Sequence, residues 1–341
     1  MSQDASAVFR GVESPVVPER TSTVGVPVAS IPAFVAGDEL ARLAETDERI
    51  VVLTADLASA NRTTDFAQRH PERFANVGIA EHNMVTIAAG MAASGLVPFV
   101  ATFAAFAALM CCEQIRTDCA YPGLPVRILG HHSGMSMGFY GTSHHSLEDL
   151  GVMRTIADLT VVCATDANHL RAVLRGAVDR PGAMYIRLGR GRDPEVYAEV
   201  PSVEIGRAIR LREGPDVTLI ATGSEVRPAL DAALLLGRSG VRAGVLDMHT
   251  IKPLDRQAVL DAAAASGGIV TVEEHNVTGG LGSAVGEVLA EAGVATRFLR
   301  HGVPDEHVLI GPPKSLYRHY RLDAAGIADV TQKFLRPTDG A

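Results

Sequence analysis

Cysteine is scarce: the 341 residues hold four, Cys111, Cys112, Cys119 and Cys163. They have neither the density of a disulfide framework nor the paired spacing of a zinc site, and read as reduced, buried thiols of a cytoplasmic protein. Long basic runs are missing as well, and 31 Lys and Arg against 39 Asp and Glu give a net charge of −8. That acidic balance disfavours electrostatic capture of nucleic acid. Residues 1–30 lack a basic flank followed by an apolar core, so no secretory signal is expected there. They also lack sustained periodicity, which predicts a loosely held arm. No short-period repeat occurs, and no low-complexity tract beyond Ala-rich helix faces.

Charge itself is absent over the 31 residues from His82 to Cys112. On length alone such a stretch could cross a bilayer. Ser94-Gly95 and Pro98 interrupt it, however, splitting it into an apolar helix, a short strand from Val97 to Ala101 and a second helix. The expectation is therefore a segment buried deep in a domain or between subunits, with no membrane span.

What is present is globular: 47% hydrophobic and 21% charged residues, in a length that suits two domains. Ile50 to Leu53, Pro125 to Leu129, Leu159 to Cys163 and Met184 to Leu188 are apolar runs of strand length, alternating with helical segments such as Asn168 to Val178. The Thr165-Asp166 pair can cap that helix. Val217 to Ala221, Ala243 to Leu246, Ile269 to Val272 and Thr296 to Leu299 repeat the pattern, with helices around 229–236, 258–265 and 284–292. Strands alternating with helices predict an α/β protein of two doubly wound domains, at 31–190 and 215–341, joined by a charged, Pro-containing linker at 191–214.

Two segments invite chemistry. In Asn76-Val77-Gly78-Ile79-Ala80-Glu81-His82-Asn83-Met84 a strand-like run ends at a glycine and Glu81 opens an apolar helix; on spacing alone Glu81 is a first-turn carboxylate favoured by the helix dipole. Four histidines, His131, His132, His144 and His145, fall in one loop after a strand end, where α/β sheets present ligands. Phe103 and Phe106, three residues apart, would by themselves be one face of a helix core. The glycines of Gly279-Gly280-Leu281-Gly282 read as a tight strand-to-helix connection with an interface role rather than an anion cradle.

Taken together, GIAEHNM at 78–84, the Thr102-Phe103-Ala104-Ala105-Phe106 run, LPVRILGHHSG at 124–134, GTSHHSLED at 141–149 and YIRLGR at 185–190 resemble the pyrimidine-binding domain of the transketolase family of thiamine diphosphate enzymes. TLIATGSEV at 218–226 and VEEHNVTGGLGSAV at 272–285 resemble that family's C-terminal domain, and the likeness spans about residues 31 to 336. It implies that Glu81 hydrogen-bonds a ring nitrogen of the cofactor's aminopyrimidine, favouring the imino tautomer that removes a proton from the thiazolium carbon. It further implies that Phe103 and Phe106 pack on the pyrimidine, that Asp56 belongs to the cofactor site, and that His144 contacts a donor oxygen near the reacting carbon. His132 and Arg190 would bind the distal anion of the substrate.

The family's other half holds the diphosphate through a metal, using a Gly-Asp-Gly motif that this sequence does not contain. The resemblance therefore implies the β-type subunit of a split transketolase, assembled as an α2β2 heterotetramer. An N-terminal-type subunit would supply the diphosphate site and Mg²⁺ or Ca²⁺, and the pair would move a two-carbon ketol unit from a ketose-like donor to an aldehyde-like acceptor. Three positions depart from the family pattern: Tyr140 stands for an Asp that reads a sugar hydroxyl, Ile31 lies where an Arg grips phosphate, and Ala60 replaces a phosphate-contacting Ser beside Ser59. These point to a nonstandard small-molecule substrate in a specialised pathway. The alternatives are the β subunit of the decarboxylating component of a 2-oxoacid dehydrogenase and a non-catalytic homologue, the latter opposed by the retained Glu81 and His144.

Overall fold

The computed structural model describes residues 35–190 and 193–336, so the expected N-terminal arm and Ile31 lie outside the described residues. The first domain forms strands β1 (Ile50–Thr54), β2 (Phe74–Asn76), β3 (Val97–Phe103), β4 (Arg127–His131), β5 (Thr160–Cys163) and β6 (Met184–Arg187). The second adds β7 (Ile209–Pro215), β8 (Val217–Ala221), β9 (Ala243–Asp247), β10 (Thr250–Lys252), β11 (Ile269–Asn276) and β12 (Phe298–Val303). These make a seven-stranded sheet of order β10-β5-β6-β4-β3-β1-β2 and a five-stranded sheet of order β12-β11-β8-β9-β7. Pairing is parallel except where β10 meets β5 and β7 meets β9.

The expected α/β class is what the chain adopts. Ile50-Val51-Val52-Leu53-Thr54 is buried along its whole length, as an unbroken apolar run between two helix layers must be. Pro98 is tolerated in β3 because pairing with β4 begins only at Phe99, so no ladder bond is lost there. Helices Val35–Leu43 and Ala167–Ala177 cover one face of the first sheet, and Glu81–Ala93 covers the other. Asp166 caps its helix as expected, accepting the His169 N–H at 2.8 Å.

The uncharged stretch falls within the helix Glu81–Ala93, strand β3 and the first part of an irregular helical run that continues beyond Cys112. That run is two π-helical turns, Phe106–Met110 and Ile115–Ala120, around the short turn Cys112–Gln114. Among the described residues no helix is long and apolar enough to cross a membrane. The four thiols are unpaired; Cys111, Cys119 and Cys163 are buried, and burial pushes each of them up to about 12.

Two features differ from the sequence expectation. The end of the stretch read as linker is β7, an edge strand whose residues alternate between half-buried and exposed. The short strand β10 leaves the second domain to pair with β5 of the first. One core cluster accordingly runs through both domains, from Val51 and Met84 to Leu246 and Val285.

The glycine run after β11 has its anion already. The Glu273 carboxylate accepts the Leu281 N–H at 2.6 Å and the Gly282 N–H at 2.8 Å, so it occupies the N-terminus of helix Leu281–Glu291. A Cβ on Gly280 would lie 2.0 Å from Glu273 Oε2, which explains the glycine. Burial outweighs these two bonds and pushes the Glu273 carboxyl up to about 7. A carboxyl raised in the folded state stabilises most below its unfolded pKa of about 4.3, and that contribution fades as pH rises through the folded value. The stability of Glu273→Gln relative to the native chain should therefore improve by a few kcal/mol from about pH 4 to 7, measured by denaturant titration of both proteins. A pH-independent difference would contradict the assignment.

Candidate active site

The C-terminal ends of the parallel strands β1, β3, β4 and β6 converge on one edge of the first sheet, where open α/β sheets bind ligands. Phe103 ends β3 in register with His131 of β4, and His132 follows at once. His132 has φ 56° and Asp56, just past β1, has φ 59°, so two non-glycine residues at strand ends adopt the left-handed conformation. His132 is held there by its N–H to the Gly189 carbonyl at 3.3 Å, with Ser133 N–H on the Leu188 carbonyl at 3.0 Å.

Aromatic rings assemble around Phe103. His132 packs edge-on at 4.8 Å between centroids, Phe106 lies at 5.5 Å and His144 at 5.8 Å. His144 also meets Phe106 at 5.3 Å and Tyr140 at 4.9 Å. Ser143 Oγ lies 2.9 Å from His144 Nδ1, which leaves Nε2 as the nitrogen for a ligand. Tyr140 is 61% exposed, so its ring forms the outer wall.

Phe103, His132, Tyr140 and Arg190 line a single cleft, and the remaining lining comes from Ser59, Ala60, Arg62 and Met137. Burial, with the Arg190 charge nearby, brings His132 down to about 4, so it is a neutral imidazole at ordinary pH. Positive charge in this cleft belongs to Arg62 and Arg190. Arg62, Ser59 and Met137 carry no functional signal in the sequence: an arginine in Asn61-Arg62-Thr63 has only loop composition to mark it. Of the four histidines expected in one loop, His131 instead ends β4, and His132 and His144 join the ring cluster. His131 is buried and brought down to about 3, and His145 is buried as well.

Glu81 and Asp56 share the sheet edge and are not among the residues lining this cleft. Asn76 ties the two regions together, its Oδ1 accepting the N–H groups of Asp56 at 2.9 Å and Gly78 at 3.1 Å. Glu81 opens helix Glu81–Ala93, is 4% exposed, and finds no hydrogen-bond partner among the described residues. Its neighbour is the buried Cys111, whose thiol it helps to push up. A carboxylate without an internal donor, on a residue otherwise buried, leaves its oxygens to a ligand that brings one.

The description "Transketolase, pyrimidine binding domain" matches residues 33–194 and "Transketolase, C-terminal domain" matches 206–327. An apulose-4-phosphate transketolase subunit of Phocaeicola vulgatus is 40% identical over 301 residues, covering 88% of this chain and 96% of that protein. The chain belongs to the transketolase family. A 6-deoxy-6-sulfo-D-fructose transketolase subunit of a Clostridium species is 43% identical over 254 residues, covering 74% of this chain and 79% of its own. A split-gene transketolase solved as an inactive β4 tetramer superposes with a TM-score of 0.79 at 41% identity, over 88% of this chain and 96% of that one. As a transketolase-family member it is the pyrimidine-binding and C-terminal pair of domains, and its chemistry is that of a transketolase-type transferase.

Proposed function

We propose that this chain is the β-type subunit of a split transketolase, active in the cytoplasm only when joined to an N-terminal-type subunit in an α2β2 assembly. The observation that carries the reading is the convergence of Phe103, Phe106, His132 and His144 at the strand ends. It occurs in a chain that matches nearly the full length of the apulose-4-phosphate transketolase subunit and has no Gly-Asp-Gly motif. Thiamine diphosphate, its diphosphate and Mg²⁺ or Ca²⁺ held by the partner, supplies when bound a nucleophilic carbon for attack on the ketose carbonyl. The Glu81 carboxylate would accept a hydrogen bond from a proton-bearing ring nitrogen of the pyrimidine, while Phe103 and Phe106 would give the ring an aromatic wall. Asp56 borders the same cofactor region. His144, its Nδ1 engaged by Ser143, offers Nε2 to the donor oxygen beside the reacting carbon.

Substrate choice follows from the outer cleft. With His132 neutral, a distal anion is met by the guanidinium groups of Arg190 and Arg62. Ala60 offers no hydroxyl, and Tyr140 replaces a small anionic acceptor with a bulky ring. Each charge-assisted bond missing from a phosphate clamp costs about 1.5–3 kcal/mol. The assembled enzyme should therefore use xylulose 5-phosphate with ribose 5-phosphate poorly, and prefer a ketose with a differently placed phosphate or a sulfonate. Steady-state comparison of that standard pair with apulose 4-phosphate and 6-deoxy-6-sulfofructose tests this. A kcat/KM for the standard pair above about 10⁴ M⁻¹s⁻¹, with no advantage for the other ketoses, would refute it.

A further inference from the structure

The second domain grips the neck of the histidine loop with a buried carboxylate. Glu274, on β11, is 2% exposed. Its Oε1 accepts the Met135 backbone N–H at 2.6 Å and the Tyr317 hydroxyl, and its Oε2 accepts the Ser224 hydroxyl at 3.0 Å. Met135 stands at the neck of the loop that carries Tyr140 and His144. That neck is closed by an antiparallel bridge between Gly134 and Ser146, with N–H to carbonyl distances of 3.1 and 3.0 Å.

Both sides of the neck end at residue 274. Arg187 Nη2 donates to the Ser146 carbonyl at 3.0 Å and to the Glu274 carbonyl at 2.8 Å, while its Nε pairs with the buried Asp149 at 2.8 Å. The fit around the carboxylate is close. Gly134 has φ 61°, and a Cβ there would fall 1.9 Å from the Glu274 Cδ, so the backbone of the loop lies directly against it.

We propose that Glu274 is a positioning residue for ketol transfer: by gripping Met135 at the loop neck it fixes where His132, Tyr140 and His144 stand against Phe103. This rests on the cleft being the ketol-transfer site. The C-terminal domain lines no part of that cleft with its own side chains. It meets the loop at the neck through Glu274 and farther out through the Gly311 N–H on the Gly138 carbonyl at 3.0 Å, and a displacement of about 1 Å in such a loop is enough to cost about a hundredfold in rate.

The test uses the complex assembled with the partner subunit. In Glu274→Gln the neutral amide keeps one oxygen for Met135 and Tyr317 but loses the charge that strengthens both bonds, so the grip on the neck weakens. Hydrogen exchange of the amides in 132–146 should quicken by about tenfold or more, with β1 and β3 unchanged. The kcat/KM for the ketol donor should fall by about 10- to 100-fold, while calorimetric affinity for thiamine diphosphate stays within about twofold. Tyr317→Phe, which removes one donor and keeps the ring, should show both effects at about three- to tenfold, and it carries the test if the glutamine variant fails to fold. Unchanged exchange in 132–146, or faster exchange with unchanged kcat/KM, would overturn the role of Glu274 in an active complex. A native complex that transfers no ketol unit would instead defeat the functional reading and the positioning role with it, leaving the loop contact to be judged by exchange alone.

Discussion

Replacing Glu81 with glutamine is expected to leave the subunits assembled and to lower transfer activity by about a hundredfold or more, the scale of a lost acid–base group. The carboxylate is buried at the first turn of its helix and receives no hydrogen bond from the described protein, so little of the fold depends on its charge. An amide has nearly the same shape but cannot hold a proton shared with a ring nitrogen. Exchange of the thiazolium-carbon proton, followed by NMR in the assembled complex, checks the step directly. Equal exchange in native and variant complexes would remove Glu81 from its assigned role.

The second large effect concerns assembly. The purified single chain should turn over no substrate and bind thiamine diphosphate more weakly than about 100 μM, and co-production with an N-terminal-type subunit should restore both activities. Large apolar side chains stand exposed around the helix that Glu81 opens and the π-helical run beside it: Ile79 is 84% exposed, Leu109 50%, Met110 43% and Tyr121 91%. The two elements are tied by Thr86 Oγ1 to Asp118 Oδ2 at 2.8 Å, so they present one surface whose helix carries no charge beyond Glu81. Micromolar cofactor affinity in calorimetry on the single chain, with magnesium and no partner, would contradict this prediction.

Much of this architecture was legible because a parallel sheet covered on both faces writes continuous apolar runs into the sequence, as in Ile50 to Leu53 and Val217 to Ala221. The strands that escaped are those without such a run: β7 is an edge strand rich in charge, and β10 owes its conformation to a neighbour from the other domain. β2, three residues long and only partly buried, showed only as the strand-like run before Gly78. The histidines could be singled out as a group, yet only the fold brings the rings of His132 and His144 against the Phe103 ring and leaves those of His131 and His145 out of contact with it. Arg62 could not be found, since its place in the cleft depends on how the chain turns after β1. The motif Glu273-Glu274-His275 was visible as a family likeness. That one of its carboxylates plugs a helix end and the next clasps a loop follows from distances alone.

The crossing of β10 bears on what can be cut from this molecule. The two family domains meet near residue 200, and a fragment ended there would look complete by sequence. It would leave Thr160-Val161-Val162-Cys163, an apolar strand buried on both faces, with a row of unanswered backbone N–H and carbonyl groups along its outer side. A bare, flat, uncharged edge of this kind is a template for joining other chains. The second domain's three-residue loan to the first is thus a guard against self-association, because it covers the edge that a severed first domain would expose.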